Sequence, residues 1–440
     1  MKPSNIDLQQ RRDFLKASAL IAGGAMLSSF PLAGAYASGS DTIKIALIGC
    51  GDRGTGAAFQ ALSTKYNLKL VAMADAFQDR IDKSYAALSG KFSAKMDVPK
   101  ERQFVGFDAY LKAIPLADVV LLVTPPGFRP IHFEEAIKQN KQVFMEKPVA
   151  VDAPGIRKVL AAAEEAKRKK LNVVVGLQRR YQTNYRESIK RINDGAIGDI
   201  MSGQVYWNSG GVWVNPRKAG QTEMEYQMRN WYYFNWLCGD HIVEQHVHNI
   251  DIANWIKNAH PVSVQGTGSR AWRTGKDYGE IYDNHSIELT YADGAVISSQ
   301  CRHFEGISNR VDESFQGTKG KIYLSGSNQA IMKAYNGTEL YNHNTKGNAN
   351  PYQTEHDELF DAVSKGEYKF NNADYAATST FTAIVGRYAT YSGETIKWDE
   401  ALAANNSLLP DRLAWDAMPK VLPDANGLYP YAMPGKTKVL

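Results

Sequence analysis

The stretch that decides the fold is IKIALIGCGDRGTGAAFQAL, residues 43–62. An apolar run leads into Gly49-x-Gly51-x-x-Gly54, and a helix-like segment follows directly. A second apolar run, NLKLVAMAD, ends on Asp75, 21 residues after Gly54. A glycine triplet alone says little; strand before, helix after and an acid closing the next strand make it the pattern of a dinucleotide-binding βαβ unit. Gly49 permits the tight turn, Gly51 lets a pyrophosphate approach the backbone, and Gly54 lets the helix pack close to the strand. The helix start faces the phosphates with free N–H groups and a partial positive charge. Asp75 is placed to accept hydrogen bonds from ribose hydroxyls and to repel a 2′-phosphate, which favours NAD, while Arg80 nearby leaves NADP open.

Working outward, the alternation continues. ADVVLLVTPP (117–126) reads as a buried strand ending in a turn, and PIHFEEAIKQN as a helix. KQVFMEKP is a strand with a chemical group at its tip, APGIRKVLAAAEEAKRKK a long amphipathic helix, and NVVVGLQRRY closes the series. Strands alternating with helices imply a doubly wound parallel sheet whose ligand lies at the carboxyl ends of the strands. Three segments fall at such ends: Gly49 to Gly54, Thr124 to Pro126, and Glu146 to Pro148.

Ahead of this domain stands RRDFLKASALIAGGAMLSSFPLAGAYAS, residues 11–38. A basic start, an apolar stretch and Ala35-Tyr36-Ala37 before Ser38 have the parts of a secretory signal. Adjacent Arg11 and Arg12 followed by x-Phe-Leu-Lys resemble a twin-arginine signal, a route for folded proteins. The stretch is too diluted by Gly and Ser for a membrane span. Removing residues 1–37 lowers the formal net charge from +5 to +3, and no Lys/Arg block appears elsewhere, so nucleic acid is not an expected partner. Cys50, Cys238 and Cys301 are odd in number and widely spaced, implying neither a disulfide framework nor a zinc site. The expected product is a soluble periplasmic protein.

After Gly198 the chain changes character. IMSGQVYWNSGG, PVSVQGTGSRAW, NHSIELTYADGAVISSQCRHF and RVDESFQGTKGKIYLSG read as strands, and YADGAV carries an Asp-Gly hairpin signal. Tyr206, Trp207, Trp213, Tyr226, Trp231, Tyr232, Tyr233, Phe234 and Trp236 crowd one section, with Asn208, Arg217, Arg229 and Asn230 among them. Flat rings beside polar tips suit the C–H faces and hydroxyl fringe of a sugar, so the cluster is read as a glycan-facing insertion. Helix periodicity returns over residues 352–398, where NNAD marks a cap, and the Pro- and aromatic-rich tail from Ala401 is a surface wrap or a subunit-exchanging arm.

Several motifs in order identify a family. MEKPVA after a strand looks like the Glu-Lys-Pro signature of the Gfo/Idh/MocA oxidoreductases. GLQRRYQTNYRESIKRINDGAIGDI is similar to that family's crossover helix, EQHVHNIDIANWI resembles its D-x-x-x-H-x-x-D helix, and SFQGTKGKIYLSG its late hairpin. The resemblance covers about residues 42–400 and implies four segments: a signal peptide at 1–37, a Rossmann NAD(P)-binding domain at 38–176, a substrate and oligomerisation domain with an open, largely antiparallel sheet at 177–400, and a tail at 401–440. It implies a carbohydrate substrate and a homo-oligomer.

Carried over position by position, Lys147 contacts the hydroxyl that loses its hydride, and a cis Lys147–Pro148 bond is expected. His248 is the general base, a role suited to a group with a pKa near working pH. Glu244 stands where the family usually has Asp, to orient the imidazole or touch substrate, and Asp251 is expected to be structural. On a helix from about Val243 to Trp255, Glu244, His248 and Asp251 share a face while His246 points elsewhere. The cofactor site takes in Gly49, Gly51, Asp52, Arg53, Gly54, Asp75, Thr124, Pro125, Glu146, Lys147 and Gln178. The substrate site takes in Lys147, Arg179, Tyr181, Trp207, Trp213, Trp231, Glu244 and His248. His241 and His246 with Glu244 have the chemistry of a metal group, but the resemblance points against a metal.

An exported dehydrogenase has no cytoplasmic system to renew its cofactor. The resemblance therefore leaves three readings. The first is a sugar or glycoside oxidoreductase that keeps its nicotinamide tightly bound. The second is a redox-neutral NAD-dependent glycosidase, in which oxidation acidifies a neighbouring C–H, elimination and hydration follow, and the hydride returns; it needs no pair of carboxylates of the usual kind. The third is a non-enzymatic sugar-binding protein of the same fold. The intact Glu-Lys-Pro and histidine motifs favour the first.

Overall fold

The structure, a computed structural model, describes residues 42–343 and 348–440. The twin-arginine segment and its cleavage site lie outside the described residues. The alternation that begins at Ile43 becomes β1 (Ile43–Ile48), β2 (Leu68–Asp75), β3 (Gln103–Val105), β4 (Val119–Leu122), β5 (Gln142–Met145) and β6 (Val173–Val175). They form one sheet in the order β3-β2-β1-β4-β5-β6, and every pairing is parallel. The intervening helices include α1 (Asp52–Leu62), α2 (Gln78–Phe92), α3 (Arg129–Lys138) and α4 (Ala153–Arg168). Ile45 and Leu47 share one apolar cluster with residues of α1 and α2, and Ala46 and Ile48 share another with α3 and α4. Burial on both faces is why these strands read as unbroken apolar runs rather than alternating ones. Strand order reverses between β1 and β4, and a crevice opens at their carboxyl ends.

After α5 (Thr183–Asn193), the second half begins with β7 (Ile200–Ser209) and continues through α6 (Glu223–Arg229), α7 (His241–Glu244) and α8 (Val247–Lys257). Then come β8 (Ser263–Ser269), β9 (Asn284–Thr290), β10 (Val296–His303), β11 (Arg310–Gly317), β12 (Gly320–Ser325), β13 (Gln329–Ala334) and β14 (Glu339–His343). The regular structure finishes with α9 (Pro351–Ser364), α10 (Ala373–Ser392), β15 (Ile396–Lys397) and α11 (Trp398–Ala403). The second sheet runs β14-β13-β12-β11-β7-β10-β9-β8-β15. All its pairings are antiparallel except β7 with β10. The Asp-Gly signal forms the β9–β10 turn, with Gly294 at φ +85°.

Several expectations change. Strands β13 and β14 are additional to the sequence reading; Asn336-Gly337 at their turn is a hairpin signal it passed over. The helix expected from Val243 to Trp255 is broken into α7 and α8. His246 N–H donates five residues back to the His241 carbonyl (3.2 Å), which widens the turn at Gln245. Asn372 does not cap α10 through its side chain; its amide donates instead to the Tyr181 hydroxyl (2.5 Å). Helix α9 belongs to the first domain's core, where Leu359, Phe360 and Val363 pack. The tail wraps its own chain: Leu408 N–H donates to Asp152 (2.7 Å), and Ala432 accepts from the Tyr282 hydroxyl (2.8 Å).

The aromatic section is mostly core rather than a glycan face. Tyr226, Tyr232, Tyr233, Phe234 and Trp236 are buried in one cluster with Met224, Leu237 and Tyr429. Tyr233 donates to the Trp213 carbonyl (3.0 Å) and Trp236 to Gln227 (2.7 Å), while the buried Tyr232 hydroxyl finds no partner among the described residues. A buried ring whose polar end is satisfied internally has nothing left for a ligand.

Candidate active site

One cleft of about 690 Å³ runs along the carboxyl ends of the parallel strands and is walled on its other side by the second half of the chain. All eleven residues expected to hold a dinucleotide line it: Gly49, Gly51, Asp52, Arg53, Gly54, Asp75, Thr124, Pro125, Glu146, Lys147 and Gln178. Gly49 has φ +97°, and a Cβ there would meet the Thr124 backbone nitrogen at 2.5 Å. A Cβ on Gly54 would run into the Gly49 carbonyl oxygen, whereas one on Gly51 would meet no protein atom within 4 Å. Gly51 is also the N-cap of α1, with no side chain capping the helix start. Uncapped N–H groups, an open cradle over Gly51 and a buried, unpartnered Oε1 on Gln178 fit a dinucleotide with its phosphates at the helix and its carboxamide end farther along.

Asp75 serves the loop as well as the cleft. Its carboxylate accepts from Cys50 N–H (2.7 Å) and Phe77 N–H (2.9 Å). Burial raises its pKa, with those two hydrogen bonds pulling the other way. Arg129, which the sequence reading did not single out, ties the strand tips together: its buried guanidinium donates to the carbonyls of Leu122 (2.5 Å), Thr124 (2.5 Å) and Glu146 (3.0 Å). Burial pushes it down to about 10, so it stays charged. Arg53 donates to Glu146 (2.6 Å) from the first turn of α1.

At the tip of β5 the chemistry concentrates. The Lys147–Pro148 peptide is cis. Lys147 Nζ donates to the backbone oxygen of Glu244 (2.5 Å) and to its Oε1 (2.9 Å). Both side chains are about nine-tenths buried. An ammonium has three N–H donors, so one remains for a ligand oxygen. His248 lies in the same wall, its ring stacked on Trp207 with centroids 5.9 Å apart. Burial first, then the Lys147 and Arg179 cations, hold His248 well below its ordinary pKa. The imidazole is therefore neutral and able to accept a proton, and its Nδ1 is buried without a partner. His246 points away, to Ser299 (2.7 Å).

Two expected substrate residues lie elsewhere. Arg179 does not line the cleft; it is buried in an ion pair with Glu313, whose other oxygen accepts from Tyr185. Tyr181 packs in the first domain's core and does not line the cleft either. Both sit on the turn after β6, where no residue pattern marks which way a side chain faces. Trp207, Trp213 and Trp231 do line the cleft, with Asn215, Met228, Arg229, Gln245 and Tyr352 beside them. Asp251 is structural: it accepts from Arg180 twice (2.8 Å each) and from Ser379 (2.8 Å). His241 joins neither Glu244 nor His246. It shares the Asp240 carboxylate with His285 (2.9 and 3.2 Å), in a buried network that also receives the Tyr391 hydroxyl (2.5 Å).

The cleft is closed at the Asp75 end by a contact between the two halves. Arg229 donates to both oxygens of Asp79 (2.8 and 2.9 Å) and lies 3.6 Å over the Phe77 ring. Trp415 of the tail packs on Phe77 and Phe107, with centroids 5.0 and 4.6 Å away. No single sequence motif marks this closure, because its parts lie at residues 77–79, 107, 229 and 415.

Comparison with known proteins agrees with this geometry. The profile described as oxidoreductase family, NAD-binding Rossmann fold (Gfo/Idh/MocA) matches residues 43–175, and that of a Gfo/Idh/MocA C-terminal domain matches residues 185–323. The inositol 2-dehydrogenase of Rhizobium meliloti (strain 1021) is 27% identical over 285 residues, 64% of this chain and 75% of that one. The crystal structure of an aldose-aldose oxidoreductase from Caulobacter crescentus complexed with glycerol aligns over 81% of this chain and 99% of its own, at TM-score 0.62 and 18% identity. A levoglucosan dehydrogenase in complex with NADH and levoglucosan aligns with TM-score 0.63 and 16% identity, over 81% and 99% of the two chains. These two likenesses speak to the fold. With the glycine cradle, the Glu146-Lys147-Pro148 tip and both domain profiles in one chain, the protein belongs to the Gfo/Idh/MocA oxidoreductases.

Proposed function

We propose that this protein is an exported NAD-dependent oxidoreductase that moves a hydride between a ring carbon of a sugar or glycoside and a tightly held nicotinamide. The observation that carries this is the meeting of Lys147, Glu244 and His248 at the end of the dinucleotide cleft. When bound, NAD supplies the acceptor for the hydride. The chain's own residues do the rest. Lys147, fixed by two bonds to Glu244, presents its remaining N–H to the substrate hydroxyl and stabilises the negative charge that grows on that oxygen. His248, kept neutral by its surroundings, takes the hydroxyl proton. Trp207 stacks on the imidazole and limits its rotation.

Arg229, Asp79 and Trp415 close over the Asp75 end and support a cofactor that stays through many turnovers. A bound cofactor must be returned to its starting state, either by a second sugar or by the same glycoside after elimination. The relatives named inositol 2-dehydrogenase favour a net oxidation. Residues 1–37 supply the export reading, and folding around the cofactor before crossing explains a twin-arginine route.

The test is to mix the purified protein with a panel of sugars and glycosides and follow reduced-nicotinamide absorbance and products together. A rise with a keto-sugar product supports the oxidoreductase. Sugar release without a lasting rise, with deuterium uptake beside the oxidised carbon, supports the redox-neutral hydrolase. Protein that holds and captures no dinucleotide at all overturns both.

A further inference from the structure

The three tryptophans of the cleft are in different situations. Trp207 is committed within the protein: it stacks on His248 and lies under the Arg179 guanidinium (5.9 Å). Trp213 is 44% exposed although it is a large apolar side chain at the rim of the cleft. It meets Trp231 edge-on, with centroids 5.8 Å apart and planes at 64°, and Tyr232 similarly at 6.3 Å. Edge-to-face contact uses one indole's edge and leaves ring faces uncovered, where a stacked pair would hide them.

The segment that carries Trp213 is built, not loose. Residues 210–215 form neither helix nor strand, yet their backbone is held at four points. Buried Arg273 donates to the Gly210 carbonyl (2.9 Å). Tyr233 shares its one O–H between the carbonyls of Trp213 (3.0 Å) and Val212 (3.3 Å). Asn215 N–H donates to Asn230 (2.9 Å), and its side chain to the Arg229 carbonyl (2.7 Å). A pinned loop that holds an indole out into water, beside a reaction site, is what a ring-binding surface needs. Gln245 also lines the cleft, and its side chain makes no hydrogen bond among the described residues.

We propose that Trp213 and Trp231 form a second subsite, outside the hydride-transfer position, which binds the ring on the far side of a glycosidic bond. The substrate is thus a glycoside with a ring-bearing aglycone, and not a free monosaccharide or cyclitol. This rests on the reading of Lys147 and His248 as the hydride-transfer site. Trp213 and Trp231 line the same cleft as Lys147, Glu244 and His248, so a molecule long enough to reach from one group to the other occupies both. An apolar C–H face of a second sugar and an aryl ring share the chemistry that stacks on indole.

The experiment presents each glycone of a panel in four forms: free sugar, methyl glycoside, phenyl glycoside and disaccharide. With NAD added in excess as the hydride acceptor, its reduction gives kcat/KM for the wild type and for Trp213→Ala, Trp231→Ala and Trp213→Phe. We expect the ring-bearing forms to exceed the free and methyl forms about tenfold. Trp213→Ala and Trp231→Ala should erase that preference by raising KM for the ring-bearing forms about tenfold, and Trp213→Phe should restore most of it. Preference for the disaccharide alone identifies a sugar in the second subsite, and equal preference for the phenyl form a surface that reads flatness only. Equal kcat/KM for all four forms, or variants that lose dinucleotide instead of discrimination, overturn the proposal while leaving the hydride-transfer reading intact. A panel in which no form reduces the bound dinucleotide overturns that reading and this one with it.

Discussion

Lys147 Nζ is held by two oxygens of a single residue, the backbone carbonyl of Glu244 at 2.5 Å and its carboxylate at 2.9 Å. One lies at the tip of a parallel strand and the other on a short helix of the second half, so the ion pair fixes the cation relative to both walls of the cleft. Replacing Lys147 with Met removes the charge while keeping the length. We expect kcat to fall by about 10²- to 10³-fold, the loss typical of a donor to a developing oxyanion, with dinucleotide content unchanged. Glu244→Gln keeps both acceptors and should cost about tenfold. Steady-state kinetics on material assayed for bound dinucleotide checks both, and full activity in Lys147→Met contradicts the assignment.

Gly51 offers a clean test of the cofactor cradle. A side chain there meets no protein atom within 4 Å, so Gly51→Val should lose its dinucleotide and melt with the thermal stability of cofactor-free wild type. Gly54→Ala should lose stability as well, because its Cβ collides with the Gly49 carbonyl. Thermal melts paired with release of adenine-containing material on denaturation separate the two.

The closure over Phe77 should govern how long the cofactor stays. Arg229→Ala removes a two-bond contact to Asp79, and Trp415→Ala removes the ring packed on Phe77 and Phe107. Each variant is expected to speed dinucleotide release about tenfold, corresponding to about 1.4 kcal/mol, with kcat little changed at saturating added NAD. Dilution followed by a fluorescence chase gives the rate. Unchanged release in the double variant shows that the closure does not retain the cofactor.

The environment of His248 carries a prediction for the pH profile. Its pKa is depressed in the fold, first by burial and then by Lys147 and Arg179. As pH falls through the ordinary histidine value of about 6.5, the ring stays neutral and remains a competent base. The kcat/KM of the free enzyme should therefore stay level through pH 6.5. An acid limb centred there, absent in a His248→Gln variant with residual activity, contradicts it.

His356 predicts a slope in stability. It is fully buried with neither ring nitrogen hydrogen-bonded, tilted against Phe144 with centroids 4.2 Å apart. Burial, with Arg53 nearby, holds its pKa well below the ordinary value. Below pH 6.5 the unfolded chain binds a proton there and the native one does not, so the residue's contribution to stability declines as pH falls, by about 1.4 kcal/mol per pH unit. His356→Leu lacks that dependence. The variant's advantage over wild type in urea unfolding should grow from pH 6.5 downward and be constant above it.

The sequence was legible wherever chemistry and local geometry coincide. Gly49, Gly51 and Gly54 could be assigned because a turn, a close approach and a tight crossing each exclude a side chain at a fixed spacing. Lys147 could be assigned because it ends a buried strand inside a recognisable tip. Arg179 and Tyr181 were misplaced because side-chain direction on a short turn depends on what packs against it: Glu313 takes the first and Asn372 the second. The sequence does not separate the five core rings of residues 226–236 from the cleft-facing ones in the same cluster, because a tyrosine with an internal acceptor and one with a free hydroxyl look alike in a string of letters.

What the sequence by itself determined was the parallel sheet and the dinucleotide-binding turn, which follow from period and turn chemistry. Lys147 and His248 were singled out by the resemblance of their motifs to those of the Gfo/Idh/MocA family. Tertiary structure alone decided that Glu244 meets Lys147 across 97 residues. It also decided that Arg229 and Trp415 close one end of the cleft, and that of nine crowded aromatic residues only three face it. Such choices depend on which buried polar group finds a partner, and those partners come from segments that meet only when the two sheets pack.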